Sequence, residues 1–327
     1  MDTQKMPDSP ATEPFPTFLR LPFVSNAKLL DIAIAGVPFD GGTRLRVGSR
    51  QAPRQIRTAS ELLHGLHLKH GFSPLDLCTL GDVGDVVIAP FDQDANLAAI
   101  EAFFAELWDS GAAPVAIGGD HLITLPILRA IGRTTPLAVV QFDAHADTAM
   151  ASPEGARFTS STPFRRAVEE GLVDPRRFVQ IGLRGTLGSM ERMDWARAQG
   201  IRQFTVDEMY DIGIDAVIRE TRSIIGHHPT YVTFDIDGID PAYAPGTGTP
   251  VVGGFSSYEA QRILRGLSGA AVIGGDVTEV SPPYDLRGIT ALLGASLVHE
   301  IICLVAQTRA GRKEGLQPAS SAAASPN

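Results

Sequence analysis

The sequence predicts an α/β fold in which helices cover both faces of a mainly parallel sheet. Short apolar runs rich in β-branched or aromatic residues recur along the 327-residue chain. Amphipathic stretches of helical length, such as residues 94–110, separate most of these runs. Strands that alternate with helices form parallel sheets that are buried on both faces. Several of the runs stop where a polar cluster begins, as expected at the carboxyl edge of such a sheet.

Seven runs are predicted as strands from their length and their content of β-branched and aromatic residues. In chain order they are residues 31–37, 77–80, 114–117, 137–142, 178–181, 231–234 and 271–273. The runs LAVVQF at 137–142 and YVTF at 231–234 have almost no charged or strongly polar residues. That composition is typical of a strand that is buried on both faces.

A single domain accounts for the whole periodic part of the chain. Its length is sufficient for one large α/β domain with a substantial core, which we place at residues 18–310. Residues 1–17 and 311–327 are rich in Pro, Ser, Thr or Ala and have no periodic apolar pattern. We therefore expect both ends to be flexible tails.

Composition disfavours several classes of function. A formal charge of −9 and a pI near 5.4 argue against a nucleic-acid-binding surface and suit a cationic substrate. We find no signal peptide and no apolar run long enough to span a bilayer, so no membrane partner is expected. Two cysteines outside any CxxC pair make a disulfide framework improbable on this pattern, and we expect a cytoplasmic protein.

Carboxylates and histidines alternate directly after two of the predicted strands. Asp143, His145 and Asp147 follow one strand, and Asp235 and Asp237 follow another. If the chain remains extended, side chains two residues apart point to the same side. Ligand-type groups that converge in a partly buried site repel one another unless a cation holds them. The pattern predicts a pair of divalent metal ions.

His121 follows a third strand, after Gly118 and Gly119, and adds a sixth candidate ligand. A lone Asp at a strand end usually caps a helix, and a lone His is usually packed or exposed. Six such residues at three strand ends favour the metal site instead. Four carboxylates and two imidazoles form an oxygen-rich set, for which Mn²⁺ is the leading candidate and Ni²⁺ the alternative.

Several longer motifs surround these residues and carry a family resemblance. They are GGDH at 118–121, DAHAD at 143–147, FDIDGIDPAYAPGTGTP at 234–250, GVPFD at 36–40, TPFRRA at 162–167 and GDVTEVSPP at 275–283. Together they resemble the ureohydrolase superfamily, which contains arginase and agmatinase, and in particular its agmatinase-type branch. The resemblance extends over about residues 32–306, nearly the whole predicted domain.

The resemblance implies a three-layer α/β/α arginase-like fold with a central, mainly parallel sheet of eight strands. It implies that residues 18–310 form one ureohydrolase catalytic domain that hydrolyses the guanidino C–N bond of a small compound, agmatinase-like, releasing urea and an amine. One metal ion would be held by His121, Asp143, Asp147 and Asp235, and the other by Asp143, His145, Asp235 and Asp237. A homo-oligomer, trimer or hexamer, is also implied.

Two carboxylates receive catalytic roles on this basis. Asp147 would accept a hydrogen bond from the attacking hydroxide and later carry a proton to the leaving amine. Glu279 would match the family carboxylate that pairs with the guanidinium, where two parallel hydrogen bonds set orientation as well as affinity. Without the resemblance, Glu279 would be interpreted as a surface or helix-capping residue.

Three further residues are candidate substrate contacts. Ser160 stands where agmatinase-type sequences usually have a histidine, and a serine does not titrate near neutral pH. Arg44 places a cation on a predicted entrance loop, where it would either meet a substrate carboxylate or repel a cationic tail. Thr249 lies in the Gly-Thr-Gly-Thr-Pro loop that is expected to shape the mouth of the site.

These departures leave the substrate tail open. Agmatine, 4-guanidinobutyrate, 3-guanidinopropionate, guanidine and a biguanide such as metformin are all retained as alternatives. Hydrolysis of a formimino group is less favoured by the agmatinase-type motifs. Ser160 also motivates a different class of function, a noncatalytic subunit in a mixed oligomer with a homologous chain, but retention of all six ligand-type residues argues against it.

Overall fold

The protein contains one central sheet of eight parallel strands with helices on both faces. The structure, a computed structural model, describes residues 16–316, with side chains in the last helix described as far as residue 312. The strands are β1 (Ile32–Gly36), β2 (Leu80–Asp85), β3 (Ala113–Ile117), β4 (Leu137–Phe142), β5 (Val173–Leu183), β6 (Arg202–Thr205), β7 (Thr230–Asp235) and β8 (Val272–Thr278). Their order in the sheet is β2-β1-β3-β8-β7-β4-β5-β6. The predicted three-layer α/β/α fold with eight strands is confirmed.

Ten α-helices connect these strands. They are α1 (Ala52–Ser60), α2 (Pro74–Leu77), α3 (Gln93–Asp109), α4 (Thr124–Gly132), α5 (Pro163–Glu169), α6 (Glu191–Gln199), α7 (Val206–Ile212), α8 (Ile214–Ile225), α9 (Ser257–Gly266) and α10 (Ile289–Leu316) within the described part of the chain. Apolar residues of α1, α7, α8, α9 and α10 pack on one face of the sheet, and those of α3, α4, α5 and α6 pack on the other.

Strand side chains alternate between two separate hydrophobic cores. In β1, Ile32 and Ile34 belong to the core beneath α10, whereas Ala33 and Ala35 belong to the core beneath α3 and α4. All five residues of β1 are buried. Burial on both faces explains why this strand and its neighbours are apolar throughout rather than alternating apolar and polar.

The expectation that no apolar run is long enough to cross a bilayer is wrong for helix α10. The most apolar 18-residue window within Ile289–Arg312 has a mean hydropathy of 2.0, so this helix passes that test by length and composition. The helix nevertheless packs against β8 and α1, and 83% of its most apolar window is buried. The apolar surface therefore contributes to the protein core, as in the central helix of many soluble folds.

The ends of the predicted domain are only partly described. Helix α10 continues to Leu316, six residues beyond the predicted limit at residue 310. At the other end, Thr17 is already buried and Phe18 donates its backbone N–H to the Asp82 carboxylate at 2.9 Å. The remaining residues of the two predicted tails lie outside the described residues.

One predicted strand was wrong in its position, and one strand was not predicted. Residues 77–79 do not form a strand, because Ser73 caps helix α2 in a reciprocal capping box with Asp76, and β2 begins only at Leu80. Strand β6 was missed because it is a four-residue edge strand in which Phe204 is the only apolar residue. Edge strands lack the apolar signal of strands with two covered faces.

The sheet order places four central strands side by side in the order β3, β8, β7, β4. Because all of them are parallel, their carboxyl ends lie at the same edge of the sheet. His121 follows β3, Glu279 follows β8, Asp235 ends β7 and Asp143 follows β4. The fold therefore concentrates the predicted functional residues at the centre of one sheet edge, where ligands bind in open α/β sheets.

Candidate metal centre

His121 is placed by a glycine pair that allows two backbone segments to come close. A Cβ atom at Gly119 would lie 1.7 Å from the carbonyl oxygen of Phe39, so this position requires glycine. Asp120 then caps a short 3₁₀ helix, accepting the Leu122 N–H at 3.0 Å. His121 is the first residue of that turn and is completely buried.

The segment Asp143–Asp147 converges by turning rather than by remaining extended. Strand β4 ends at Phe142, and Asp143 accepts the backbone N–H of His145 at 2.6 Å, which bends the chain. Asp147 has a positive φ of 50°. The predicted extended alternation is therefore wrong here, because short side-chain to backbone bonds at the strand end replace the sheet ladder.

The segment Asp235–Asp237 also turns through a bond from a backbone N–H to an aspartate side chain. Asp235 accepts the Asp237 N–H at 2.8 Å and caps a 3₁₀ turn, Ile236–Gly238. Asp237 in turn accepts the Ala144 N–H at 3.1 Å, so the turns after β7 and β4 are bonded directly to each other. This hydrogen bond between the two turns brings the carboxylates that follow β4 and those that follow β7 into one site.

The six predicted ligands form two overlapping groups. His121, Asp143, Asp147 and Asp235 offer ligand atoms that all lie within 4.8 Å of one another, and so do Asp143, His145 and Asp237. Asp143 belongs to both groups. Asp235 belongs to the first group alone by this distance criterion, whereas the family resemblance assigned it to both ions.

The Nδ1 atom of His121 marks the centre of the first group. It lies 3.1 Å from Asp143 Oδ2, 3.0 Å from Asp147 Oδ2 and 3.3 Å from Asp235 Oδ2. This buried nitrogen makes no hydrogen bond with any described residue, because none of the three contacts has hydrogen-bond geometry. A nitrogen and three carboxylate oxygens directed at one point are a donor set that fits a divalent cation.

The pKa values of three candidate ligands are raised, which means that the site favours added positive charge. Burial, with repulsion from Asp237, raises the pKa of Asp235 well above its ordinary value, and burial with repulsion from Asp143 raises the pKa of Asp147 to about 6. Burial alone would lower the pKa of His121, but its carboxylate contacts raise it well above the ordinary value. The site thus favours bound protons or cations, and divalent ions supply that charge to a deprotonated donor set.

A hydrogen-bonded chain orients His121 from behind. Its Nε2 lies 2.9 Å from Thr233 Oγ1, and Thr233 donates to Asp276 Oδ1 at 2.6 Å. Tyr231 and Thr124 donate to the other Asp276 oxygen, each at 2.8 Å. Such outer partners fix the ring orientation of metal-binding histidines. Sequence reasoning did not assign Asp276 a role, although an aspartate within an otherwise buried strand is itself a signal.

Three glutamines on adjacent strands support Asp143 in the same manner. Gln141 donates to Asp143 Oδ2 at 2.7 Å, Gln180 donates to Gln141 at 2.7 Å, and Gln203 donates to Gln180 at 2.9 Å. These residues are register partners on β4, β5 and β6. The amide ladder explains why a polar residue is tolerated at the buried position 141.

Glu279 is buried beside His121 and does not cap a helix on the surface. Its Oε1 accepts the backbone N–H of His121 at 3.0 Å, and its own N–H donates to Gly119 O at 2.8 Å. Burial and repulsion from Asp120 raise its pKa well above the ordinary value. A cation beside Glu279 would oppose this shift and favour the ionised carboxylate.

Comparison with known proteins decides the family. Residues 30–304 match the model of the arginase family. The chain belongs to the arginase family. It is similar to a guanidinopropionase from Pseudomonas aeruginosa, with 47% identity over 295 residues that cover 90% of this chain and 93% of the relative. A guanidinobutyrase from the same organism is 44% identical over 293 residues, covering 88% and 92%.

A solved relative supports the same conclusion at the level of the fold. The structure of proclavaminate amidino hydrolase from Streptomyces clavuligerus matches with a TM-score of 0.86 and 40% identity, over 92% of this chain and 100% of that one. The predicted superfamily is confirmed. As a member of the arginase family, whose enzymes depend on two metal ions, the chain is a hydrolase of carbon–nitrogen bonds in linear amidines.

The predicted substrate contacts of this arginase-family enzyme have different surroundings. Thr249 donates its hydroxyl to Asp237 Oδ2 at 2.8 Å, so it orients a candidate ligand. Ser160 is half-buried, and its backbone N–H donates to Gly42 O at 3.1 Å, beside the entrance loop. Arg44 is exposed and forms an ion pair with Glu154, which offsets the charge that was expected to meet the substrate.

Arg184 stabilises the loop that carries Asp237. Its guanidinium donates to the carbonyl oxygens of Asp237 at 2.7 Å, Gly238 at 2.9 Å and Val251 at 2.7 Å. Burial lowers the pKa of Arg184, although nearby carboxylates including Asp237 oppose that shift. The arginine thus places positive charge behind the second ligand group and connects it to the Gly-Thr-Gly-Thr-Pro loop.

Proposed function

We propose that this arginase-family enzyme hydrolyses the guanidino group of a small guanidino compound to urea and an amine, using two divalent metal ions. The observation that carries the proposal is the convergence of His121 Nδ1 and three carboxylate oxygens within 3.3 Å, next to a second group built on Asp143. The named activities of relatives at 40–47% identity, on guanidino acids and agmatine, support the same chemistry.

The ligand assignment combines the two groups with the family resemblance. His121, Asp143, Asp147 and Asp235 would hold one ion, and Asp143, His145 and Asp237 would hold the other, to which the resemblance adds Asp235. When bound, a pair of divalent ions lowers the pKa of water so that a nucleophile is present near neutral pH, and it stabilises developing negative charge. Four carboxylates and two imidazoles favour Mn²⁺, with Ni²⁺ as the alternative.

The protein side chains would orient the substrate and move the proton. Glu279 pairs with the guanidinium, which holds the guanidino carbon beside the ligand groups. Asp147 accepts the proton released by water as the water oxygen bonds to that carbon, and passes it to the departing nitrogen. The bond between the carbon and the alkyl nitrogen breaks, leaving urea and an amine.

The quaternary structure and location of the protein are separate proposals. The resemblance to agmatinase-type enzymes supports a homo-oligomer, trimer or hexamer, with a mixed oligomer as the alternative motivated by Ser160. Cys78 and Cys303 are buried and form no disulfide with each other, which is compatible with a reducing cytoplasm. Light scattering coupled to size exclusion would measure the mass, and a monomer would contradict the first proposal.

A urea-release screen tests the function directly. The purified protein is loaded with Mn²⁺ or with Ni²⁺ and assayed on agmatine, 3-guanidinopropionate, 4-guanidinobutyrate, guanidine and metformin, and metal content is measured in parallel. We expect two equivalents of metal and urea release from at least one of these compounds. Less than one equivalent of metal, or two equivalents without any urea release, would contradict the proposed function.

A further inference from the structure

Arg46 differs from the other arginines of its loop. Arg44 pairs with Glu154, and Arg50 donates to Asp40 at 2.6 Å. No carboxylate oxygen of a described residue lies within 4.0 Å of the Arg46 guanidinium. The side chain is exposed, so its charge is available to a molecule that approaches this loop.

Arg46 lies directly beside the segment that faces Glu279. Its Nη2 donates to the carbonyl oxygen of Thr247 at 3.1 Å, and Thr247 forms an antiparallel bridge with Val280. A Cβ atom at Gly248 would lie 3.3 Å from the Arg46 carbonyl oxygen and 3.8 Å from Glu279 Oε2. The Arg46 guanidinium is therefore bonded to the residue that precedes Gly248, and Gly248 borders Glu279.

The orientation of the Arg46 side chain is fixed by its backbone conformation, a ring contact and a hydrogen bond. Its backbone has a positive φ of 53°, a conformation that L-residues rarely adopt. The guanidinium carbon stacks 4.0 Å from the centre of the Tyr284 ring, and the bond to Thr247 O holds one end of the fork. Only one of the five N–H groups of the guanidinium is used in this way, which leaves donors for a planar anion.

We propose that Arg46 binds the carboxylate of a guanidino acid and makes the enzyme selective for substrates with an acidic tail. This inference rests on the proposed function, since it assigns the tail of a substrate whose guanidinium is held by Glu279. Glu279 and the ligand carboxylates attract the guanidinium end, and the Arg46 cation, which is bonded to Thr247 O beside Gly248, attracts the opposite charge. Agmatine would instead bring its ammonium group against Arg46, a like-charge contact that disfavours binding.

Paired substrates and a matched variant test the inference. Initial rates of the metal-loaded enzyme are measured on 3-guanidinopropionate, 4-guanidinobutyrate, propylguanidine and agmatine, for the wild type, Arg46→Gln, Arg46→Lys and Arg54→Gln. Arg54 is an exposed arginine on α1 and serves as the charge-matched control. For Arg46→Gln we expect kcat/KM on the acids to fall at least about tenfold relative to propylguanidine, mainly through KM.

The remaining outcomes separate the alternatives. Arg46→Lys is expected to retain part of the preference for acids, and Arg54→Gln to leave it unchanged. An equal loss on charged and neutral tails, or a lowered melting temperature with unchanged substrate ratios, would show that Arg46 only braces the loop and would overturn the inference. Unchanged ratios in an enzyme that does release urea overturn this inference alone, whereas no urea release by the wild type overturns the proposed function with it.

Discussion

Two carboxylates of the site, Asp147 and Glu279, have left-handed backbones with φ of 50° and 60°. Such a conformation costs a non-glycine residue about 1 kcal/mol or more, and it persists only where the surroundings impose it. Here Asp147 O accepts the Phe164 N–H at 3.2 Å and the Glu279 N–H donates to Gly119 O at 2.8 Å. These contacts hold both carboxylates in orientations that cost stability. Such strain is expected for groups that contact a substrate or a metal ion.

Replacing Asp143 by Asn should remove both metal binding and activity. Asp143 belongs to both ligand groups, and an amide brings one neutral oxygen in place of a charged carboxylate. We expect less than one equivalent of bound metal and a loss of kcat by more than about a hundredfold. Metal analysis and urea release measure the two effects, with Asp94→Asn on the exposed side of α3 as the control. Two bound ions and normal activity would contradict the assignment.

Replacing Glu279 by Gln should impair the reaction and leave the metal content intact. Glu279 contacts His121 through a backbone N–H and belongs to neither ligand group. Loss of the carboxylate removes the charged partner of the guanidinium, worth about 2–5 kcal/mol, or about thirtyfold or more in kcat/KM. Kinetics with parallel metal analysis, and Glu61→Gln as control, check the effect. A variant that loses metal would instead place Glu279 in the metal-binding set.

At the scale of elements, the segment of residues 61–72 is fastened to helix α10 through Glu300. The Glu300 carboxylate forms hydrogen bonds with His67 Nε2 at 3.0 Å, His70 Nε2 at 3.3 Å and Arg265 Nε at 2.7 Å. His67 Nδ1 accepts the N–H groups of Lys69 and His70, so the ring proton resides on Nε2. The cluster is therefore a hydrogen-bonded fastening, although its residue types also occur at metal sites.

The stability that Glu300 contributes should depend on pH. Burial would raise its pKa, but His70, Arg265 and His67 together lower it from 4.5 to about 2. A lowered folded-state pKa adds stability that is fully present above the unfolded value, near 4.5, and is lost as the pH falls toward 2. We expect Glu300→Gln to destabilise the protein by at most about 3 kcal/mol at neutral pH.

Denaturant titrations at pH 7 and pH 4 measure this difference. The gap between wild type and Glu300→Gln should narrow at the lower pH, whereas the exposed control Glu106→Gln should match the wild type at both. A gap that is equal at the two pH values would mean that the ion pairs contribute little and that Glu300→Gln acts through packing alone.

At the scale of the whole molecule, the candidate metal centre joins strands from two distant parts of the sequence, β3 with β4 and β7 with β8. His121 follows β3, Asp143 follows β4, Asp235 ends β7, and Glu279 follows β8. These four strands are adjacent at the middle of the sheet. Any ligand that bonds to several of their ends stabilises the folded chain as a whole, because the unfolded chain does not bring these residues together.

Metal binding should accordingly raise the thermal stability of the protein. At a Mn²⁺ concentration one hundred times the dissociation constant, the expected gain is about 2.7 kcal/mol, which for a domain of this size is several degrees in Tm. Scanning fluorimetry with added Mn²⁺, and after treatment with a chelator, measures the shift. The increase should be absent in Asp143→Asn; an identical increase in that variant would place the bound metal elsewhere.

Much of the fold and site could be predicted because the signals are local. Strands that are buried on both faces can be recognised from their apolar composition, as in the runs at 137–142 and 231–234. The short edge strand β6 was missed because only one of its residues is apolar, and the apolar run at 77–80 was predicted as a strand although its first residue belongs to the capped helix α2. Supporting residues such as Asp276 and Gln180 were not found, since their partners come from strands distant in sequence.

The sequence by itself determined the family, the parallel sheet and the six ligand-type residues, because these depend on residue type and on position relative to strand ends. Only the tertiary structure decided how those residues meet, through turns bonded across β4 and β7. It also decided which of two loop cations has a carboxylate partner among the described residues. Arg44 and Arg46 are two residues apart and equally charged in sequence. Within the described part of the chain only Arg44 has an acid within 4.0 Å, Glu154, which lies 110 residues along the chain. Charge compensation depends on distances in space, and a linear pattern does not contain them.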